Sequence, residues 1–135
     1  MYLCFDYGTR SIGVAIGNTI THNARPLTTI VNRDGQSHLI EIDQLVARWQ
    51  PRALIVGLPF NMDGSNSAMT NISQKFADTL QQRFPIPVQM MDERLSSRAA
   101  RETLGHGRTV QREHIDAHAA AIILTDWLQI QRKKP

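Results

Sequence analysis

The feature that most limits the fold is the order in which strand-like and helix-like patterns follow one another. Three short apolar runs come first, with only a few residues between them: Tyr2–Asp6, Ser11–Gly17 and Arg25–Val31. Connections this short allow only antiparallel pairing, because a parallel crossover needs a dozen residues or more. The first part of the chain therefore predicts three antiparallel strands.

After the third run, the apolar residues change to helical spacing. They predict helices over Leu39–Trp49, with Ser37 as a candidate N-cap, and over Met69–Phe84. Each helix is followed by a short apolar run typical of a buried strand, at Ala53–Gly57 and at Val88–Met91. Strands separated by helices pair in parallel, with the helices packed on the faces of the sheet.

The last part of the chain contains two further helical patterns. We expect a short helix capped by Ser96 and ending at Leu104, a polar, mobile loop over His106–Glu113, and a final helix over Ile115–Gln131. The whole order predicts an α/β fold with a mixed five-stranded sheet and helices on both faces. A chain of 135 residues has the size of one domain, so residues 1–135 are interpreted as a single unit.

Composition favours a globular cytoplasmic protein. Hydrophobic residues make up 41% and charged residues 20%, and the single cysteine, Cys4, cannot form a disulfide within the chain. The longest apolar run, Ala117–Leu124, is too short to span a membrane, and the start does not resemble a signal peptide. We therefore expect no membrane partner. The sequence favours neither a monomer nor an oligomer.

Positive charge is concentrated in one segment. The formal net charge is only +3, but five arginines follow the fifth predicted strand closely: Arg94, Arg98, Arg101, Arg108 and Arg112. Clustered cations suit a polyanion, because each neutralised phosphate releases counterions. This cluster favours nucleic acid as the partner, whereas the basic residues at the end of the chain are interpreted as a solvated surface.

Three acidic residues lie at matching ends of the predicted elements. Asp6 ends the first strand, Glu93 closes the fifth, and Asp116 opens the last helix. Ligands gather at the carboxyl ends of parallel strands, so these carboxylates are expected to converge there. Carboxylates packed together repel one another unless a hard cation such as Mg²⁺ or Mn²⁺ lies between them. Two such ions roughly 4 Å apart can catalyse displacement at phosphorus, so the trio predicts phosphodiester hydrolysis.

Four segments in this order resemble the YqgF (RuvX) family. They are Phe5–Ala15 (FDYGTRSIGVA), Ile55–Gly64 (IVGLPFNMDG), Asp92–Ser96 (DERLS) and Ile115–Leu124 (IDAHAAAIIL). The resemblance covers nearly the whole chain and implies a ribonuclease H-like fold, with Asp6, Glu93 and Asp116 as the metal-binding catalytic acids. It also implies a nuclease that matures the 5′ end of pre-16S ribosomal RNA in ribosome biogenesis. A likeness to RuvC leaves a second activity open, the resolution of Holliday junctions in branched DNA.

Further residues are candidates for contact with the nucleic acid. Thr9 and Arg10 follow Asp6, where a hydroxyl or guanidinium group could hold a phosphate. The same role is predicted for the arginines of the basic segment, namely Arg94, Arg98, Arg108 and Arg112. Relatives often carry a lysine–glycine pair where this chain has Val110–His114, and Arg108 and Arg112 could take its place. Tyr7 is the one aromatic residue next to the predicted site, so recognition through the backbone is favoured over recognition of bases.

Three other interpretations remain open. The segment Asp6–Thr9 also resembles the phosphate loop of actin-like ATPases, although those proteins close two such domains over a nucleotide. His114 and His118 have the spacing of zinc ligands on a helix, without the glutamate of a metalloprotease motif. A binding protein that kept the fold and lost catalysis would carry the same three acids.

Overall fold

The computed structural model describes residues 1–32, 36–95 and 112–133, and in the last segment it describes side chains from Ala117 onward. Five strands in these segments form one sheet in the order β3-β2-β1-β4-β5. Their bounds are β1 Tyr2–Tyr7, β2 Ser11–Gly17, β3 Ala24–Val31, β4 Ala53–Leu58 and β5 Val88–Asp92. β1 pairs antiparallel with β2 and parallel with β4, and β5 continues the parallel part. The predicted mixed five-stranded sheet is confirmed.

Two helices cover one face of the sheet. They are α1 (Ser37–Trp49) and α2 (Ala68–Arg83). The core beneath them combines strand and helix residues that are almost fully buried, among them Phe5, Leu54, Ile42 and Leu80. Successive side chains of a strand point to opposite faces, so this core takes every second residue of the central strands.

A third helix, α3 (Arg112–Lys133), covers the other face. Its apolar residues pack against the remaining side chains of the same strands, including Cys4 and Ile55. All six residues of β4 are buried because helices cover both of its faces. None of the helices in the described segments combines the length and apolarity needed to cross a membrane.

Helix α3 has a defined direction relative to the sheet. Its Trp127 ring lies 5.1 Å from the ring of Tyr2, at the beginning of β1. One turn earlier in the helix, Ile123 lies against Gly57, near the end of β4. The N-terminal part of α3 is therefore at the carboxyl ends of the parallel strands, the edge at which the acids were predicted to meet.

Several helix boundaries differ from the sequence prediction. Ser37 is the first residue of α1 and not its N-cap, since Gln36 precedes the helix and makes no capping side-chain hydrogen bond. α2 begins with a capping box in which Ser67 and Thr70 exchange hydrogen bonds. α3 begins at Arg112, so the prediction of a loop through Glu113 is wrong at its last two residues. The predicted helix Ser96–Leu104 lies outside the described residues.

An ion pair connects α1 to α2 at the surface of the core that lies under these two helices. Arg83 donates two hydrogen bonds to the carboxylate of Asp43, at 2.6 and 2.7 Å. These bonds hold the pKa of Asp43 below its usual value of 3.8. A lowered pKa in the folded state stabilises the fold above pH 3.8, and this contribution disappears as the pH falls through the lowered value.

We expect Arg83→Ala to lower the free energy of unfolding slightly at pH 7, because exposed ion pairs contribute little. The difference from wild type should shrink as the pH falls below 3.8, when Asp43 becomes protonated. Urea denaturation at several pH values between 7 and 3 measures this, with Asp43→Asn as a matched variant. A difference that stays constant over this range would contradict the assignment.

Candidate metal and nucleic-acid site

Asp6 lies near the end of β1, one residue before the strand stops. It is buried, with 9% of its surface exposed. Cys4, two residues earlier, belongs to the core beneath α3. Because alternate residues of a strand share a face, Asp6 points to the α3 side of the sheet. A carboxylate in this position has lost most of its contact with water, and buried charges of this kind are stabilised by hydrogen bonds or by a cation.

Glu93 follows β5 directly and begins a short 3₁₀ turn, Glu93–Leu95. Its side chain lies over Gly57 of the neighbouring strand. A Cβ atom added to Gly57 would be 3.2 Å from Cγ and 3.3 Å from Cδ of Glu93, and 3.0 Å from Cδ1 of Ile123 in α3. The absence of a side chain at position 57 therefore gives the Glu93 carboxylate its place beside α3.

Asp6 and Glu93 lie on the same face, above neighbouring strands. The parallel register of β1 and β4 pairs Phe5 with Val56, so the next residues, Asp6 and Gly57, are neighbours on strands about 4.8 Å apart. Glu93 lies over Gly57. The structure thus brings two of the three predicted acids to one edge of the sheet, from chain positions 87 residues apart.

Position 116 belongs to α3, but the description of side chains begins one residue later. It precedes Ile123 by seven residues, or about 10 Å along the helix axis at 1.5 Å per residue. Since Ile123 lies against Gly57, the backbone at Asp116 is at the carboxyl edge of the sheet. The helix begins at Arg112, so Asp116 does not open it, and the favourable helix terminus, which acts within the first turn, no longer supports its role.

Metal binding needs more donors than these two carboxylates. Among the described side chains no group of three or more His, Cys, Asp and Glu residues is placed to hold an ion. The third predicted acid, Asp116, lies outside the side chains covered by that search. Of the proposed zinc pair, His118 is exposed and the side chain of His114 is outside the described region.

The residues predicted to contact phosphate differ in how they are placed. Thr9 and Arg10 are exposed in the turn between β1 and β2, next to Asp6. Gly8 shapes this turn, since a Cβ atom there would lie 2.6 Å from the carbonyl oxygen of Ser11. Arg98 and Arg108 lie outside the described residues, as does the side chain of Arg112.

Tyr7 does not line the site. Its ring packs against Phe76 of α2, with centroids 4.5 Å apart, and its hydroxyl accepts a hydrogen bond of 3.0 Å from Asn32. It therefore belongs to the core under α1 and α2, on the face opposite Asp6. The prediction that Tyr7 is the aromatic residue beside the site is wrong. Because successive residues of a strand point to opposite faces, the order Phe5, Asp6, Tyr7 already indicated that Tyr7 and Asp6 lie on different faces.

Arg94 is exposed at the end of β5, but its guanidinium group is engaged within the protein. It donates hydrogen bonds to both oxygens of Asp92, at 2.7 Å from Nη2 and 3.1 Å from Nε. The side-chain hydrogen bonds lower the pKa of Asp92 and raise that of Arg94. Sequence reasoning also missed Phe60, whose ring centroid lies 5.4 Å from the Arg94 guanidinium carbon.

The turn between β4 and α2 carries its own hydrogen bonds. Asp63 accepts bonds from the backbone and the hydroxyl of Ser65, at 2.9 and 2.6 Å, and these bonds lower the pKa of Asp63. The carbonyl group of Pro59 accepts bonds from the hydroxyl groups of Ser67 and Thr70 at the start of α2. The turn signal at Asn61–Gly64 was visible in the sequence, but its closeness to Arg94 was not.

Known relatives match nearly the whole chain. The RuvX family model, described as Holliday junction resolvase, matches residues 1–130. A relative from Coxiella burnetii is 42% identical, and the match covers 98% of this chain and 94% of the relative. One from Sodalis glossinidius is 45% identical, with 92% of it and 94% of this chain covered. Both are named as candidate pre-16S rRNA nucleases.

Solved structures show the same fold at low sequence identity. Thermus thermophilus RuvC, in complex with a Holliday junction, superposes with a TM-score of 0.59 at 15% identity over 98% of this chain and 96% of RuvC. The yeast mitochondrial Holliday junction resolvase Ydc2 gives 0.53 at 12% identity, covering 97% of this chain and 78% of Ydc2. The ribonuclease H-like fold predicted from the motifs is confirmed, and the chain belongs to the RuvX family.

Proposed function

We propose that this chain is a divalent-metal-dependent nuclease that hydrolyses phosphodiester bonds in a ribosomal RNA precursor. The observation that carries the proposal is the placement of the Glu93 carboxylate over Gly57, beside the strand position of Asp6. Relatives of 42–45% identity named for pre-16S rRNA supply the substrate class. We infer action in the cytoplasm, where such a precursor is found in bacteria.

The donor chemistry of the site fits Mg²⁺ or Mn²⁺. Asp6 and Glu93 offer carboxylate oxygens, the ligand type that these hard cations prefer. Asp116 is proposed as the third ligand from its place in α3. A bound pair of such ions would supply an activated water and neutralise charge on the departing oxygen.

The protein's own contribution is to hold these groups still and to bind the substrate backbone. Asp6 is fixed by the pairing of β1 with two neighbouring strands, and Glu93 by its position over Gly57. We propose that Thr9 and Arg10, exposed beside Asp6, bind the phosphate next to the cleaved bond. Farther phosphates are assigned to the basic residues after the 3₁₀ turn, namely Arg98, Arg108 and Arg112.

Holliday junction resolution is the second candidate. It is favoured by the description of the family model and by the fold shared with RuvC bound to a junction. Both substrates present the same phosphodiester group, so the acids serve either reaction. A junction has two-fold symmetry, and its symmetric cleavage would require two copies of this chain acting together.

We expect Asp6→Asn and Glu93→Gln each to reduce cleavage by at least about 100-fold without unfolding the protein, since each removes a charged ligand but keeps its size. Cleavage of a pre-16S rRNA fragment and of a four-way DNA junction, with Mg²⁺ or Mn²⁺, measures this. Asp78→Asn, on the exposed surface of α2, is the control. Undiminished cleavage by both site variants would refute the proposal, and cleavage of the junction alone would select the second candidate.

Gly57→Ala is expected to weaken metal binding and cleavage by about 10-fold, because the added Cβ would displace Glu93. The same Cβ would touch Cδ1 of Ile123, an atom that valine lacks. The double variant Gly57→Ala with Ile123→Val should therefore recover thermal stability but not Mn²⁺ affinity, measured by calorimetry. Full recovery of Mn²⁺ affinity in the double variant would show that Ile123, and not Glu93, is the residue disturbed.

A further inference from the structure

Arg94 already has a partner for its charge. Two parallel hydrogen bonds join its guanidinium group to Asp92, and the backbone NH of Arg94 donates to the same carboxylate at 2.9 Å. The Asp92 side chain is only 23% exposed. A guanidinium group paired in this two-oxygen geometry has its charge largely neutralised and its orientation fixed, which is not how a free phosphate ligand is held.

The other side of the same guanidinium group faces the segment that follows β4. Its central carbon lies 5.4 Å from the centroid of the Phe60 ring. Nη1 lies 3.1 Å from the point that a Cβ atom of Gly64 would occupy, and Gly64 has a φ of +88°, which favours glycine. Arg94 therefore lies between Asp92 at the end of β5 and the Phe60–Gly64 loop.

The Phe60–Gly64 loop is itself well ordered by hydrogen bonds. The backbone NH of Gly64 donates to the carbonyl of Asn61, and that of Asn61 donates to Ser65, both at 2.9 Å. Asp63 accepts two bonds from Ser65. Because these hydrogen bonds close the loop on itself, the contact with Arg94 connects the whole loop to the end of β5.

Glu93 is the residue between the two members of the pair. Its side chain is directed over Gly57, while its neighbours on both sides are joined to each other by four hydrogen bonds. We propose that Arg94 is a positioning residue, which connects the Phe60–Gly64 loop to the end of β5 and so holds Glu93 in place, and is not a phosphate ligand. This inference rests on the proposed role of Glu93 in metal binding.

The chain offers a matched control for the loss of such a pair. Arg83 binds Asp43 with the same two-bond geometry at an exposed site, and it lies in α2, on the face of the sheet opposite Glu93. Arg83→Ala and Arg94→Ala remove the same charge and the same type of ion pair. A difference between the two variants therefore reports the position of Arg94 and not the general cost of a lost arginine.

Three measurements on the full chain test the proposal. Hydrogen exchange of the metal-free protein measures how fast the backbone amides of the Phe60–Gly64 loop exchange. Calorimetry with Mn²⁺ measures the affinity of the metal site. Binding of a single-stranded RNA at several salt concentrations, without divalent cations, measures how many phosphate contacts the protein makes. In Arg94→Ala we expect faster exchange in the loop, Mn²⁺ affinity lower by about 10-fold, and an unchanged salt slope. Arg83→Ala should leave all three unchanged.

Other results would overturn the proposal. A salt slope reduced by about one in Arg94→Ala would make Arg94 a phosphate ligand. Unchanged exchange and Mn²⁺ affinity, or equal losses in Arg83→Ala, would remove its positioning role. If Arg94→Ala does not fold, Arg94→Lys keeps the charge but not the two-oxygen geometry and should give the same changes. Glu93→Gln separates the two claims: wild-type Mn²⁺ affinity in that variant would refute the proposed metal site, whereas loop exchange tests Arg94 independently.

Discussion

The convergence of two carboxylates at one edge of the sheet is the constraint on which the proposed site depends. Asp6 is 9% exposed, and Glu93 lies on the same face above the neighbouring strand. Two carboxylates brought to one edge of the sheet repel each other unless a cation lies between them. In the function proposed above, a divalent cation would remove this repulsion, and the two carboxylates would serve as its ligands.

The sheet makes this arrangement rigid. β1 and β4 lie in the middle of the sheet and are covered by helices on both faces, so Asp6 and Gly57 are fixed by pairing and by packing. The position of Glu93 is less strongly fixed, because β5 is an edge strand and Glu93 follows Asp92, the last residue of β5 that pairs with β4. An acid at a sheet edge needs additional support, and the pair formed by Asp92 and Arg94 lies where that support is required.

Much of the fold could be predicted from the sequence because its signals are local. Runs separated by a few residues can only form antiparallel strands, and the two buried runs between helices can only pair in parallel. The start of α3 was placed three residues late, since Arg112 and its neighbours have no apolar periodicity. The contacts of Arg94 with Phe60 and Gly64 join segments about thirty residues apart in the sequence. Contacts at this separation cannot be predicted from the spacing of apolar and polar residues. The ends of the predicted strands indicated which acids lie close together. The contact of Glu93 with Gly57 could not be predicted from the sequence and was found only in the structure.

The most direct test of the account is the position of Mn²⁺ in crystals of the protein, located by anomalous diffraction. If the two carboxylates share a metal, a peak is expected at roughly 2.1 Å from carboxylate oxygens of both Asp6 and Glu93, and it should be lost in crystals of Glu93→Gln. A manganese ion bound elsewhere, or bound by only one of these two residues, would contradict the claim that the two carboxylates share a metal.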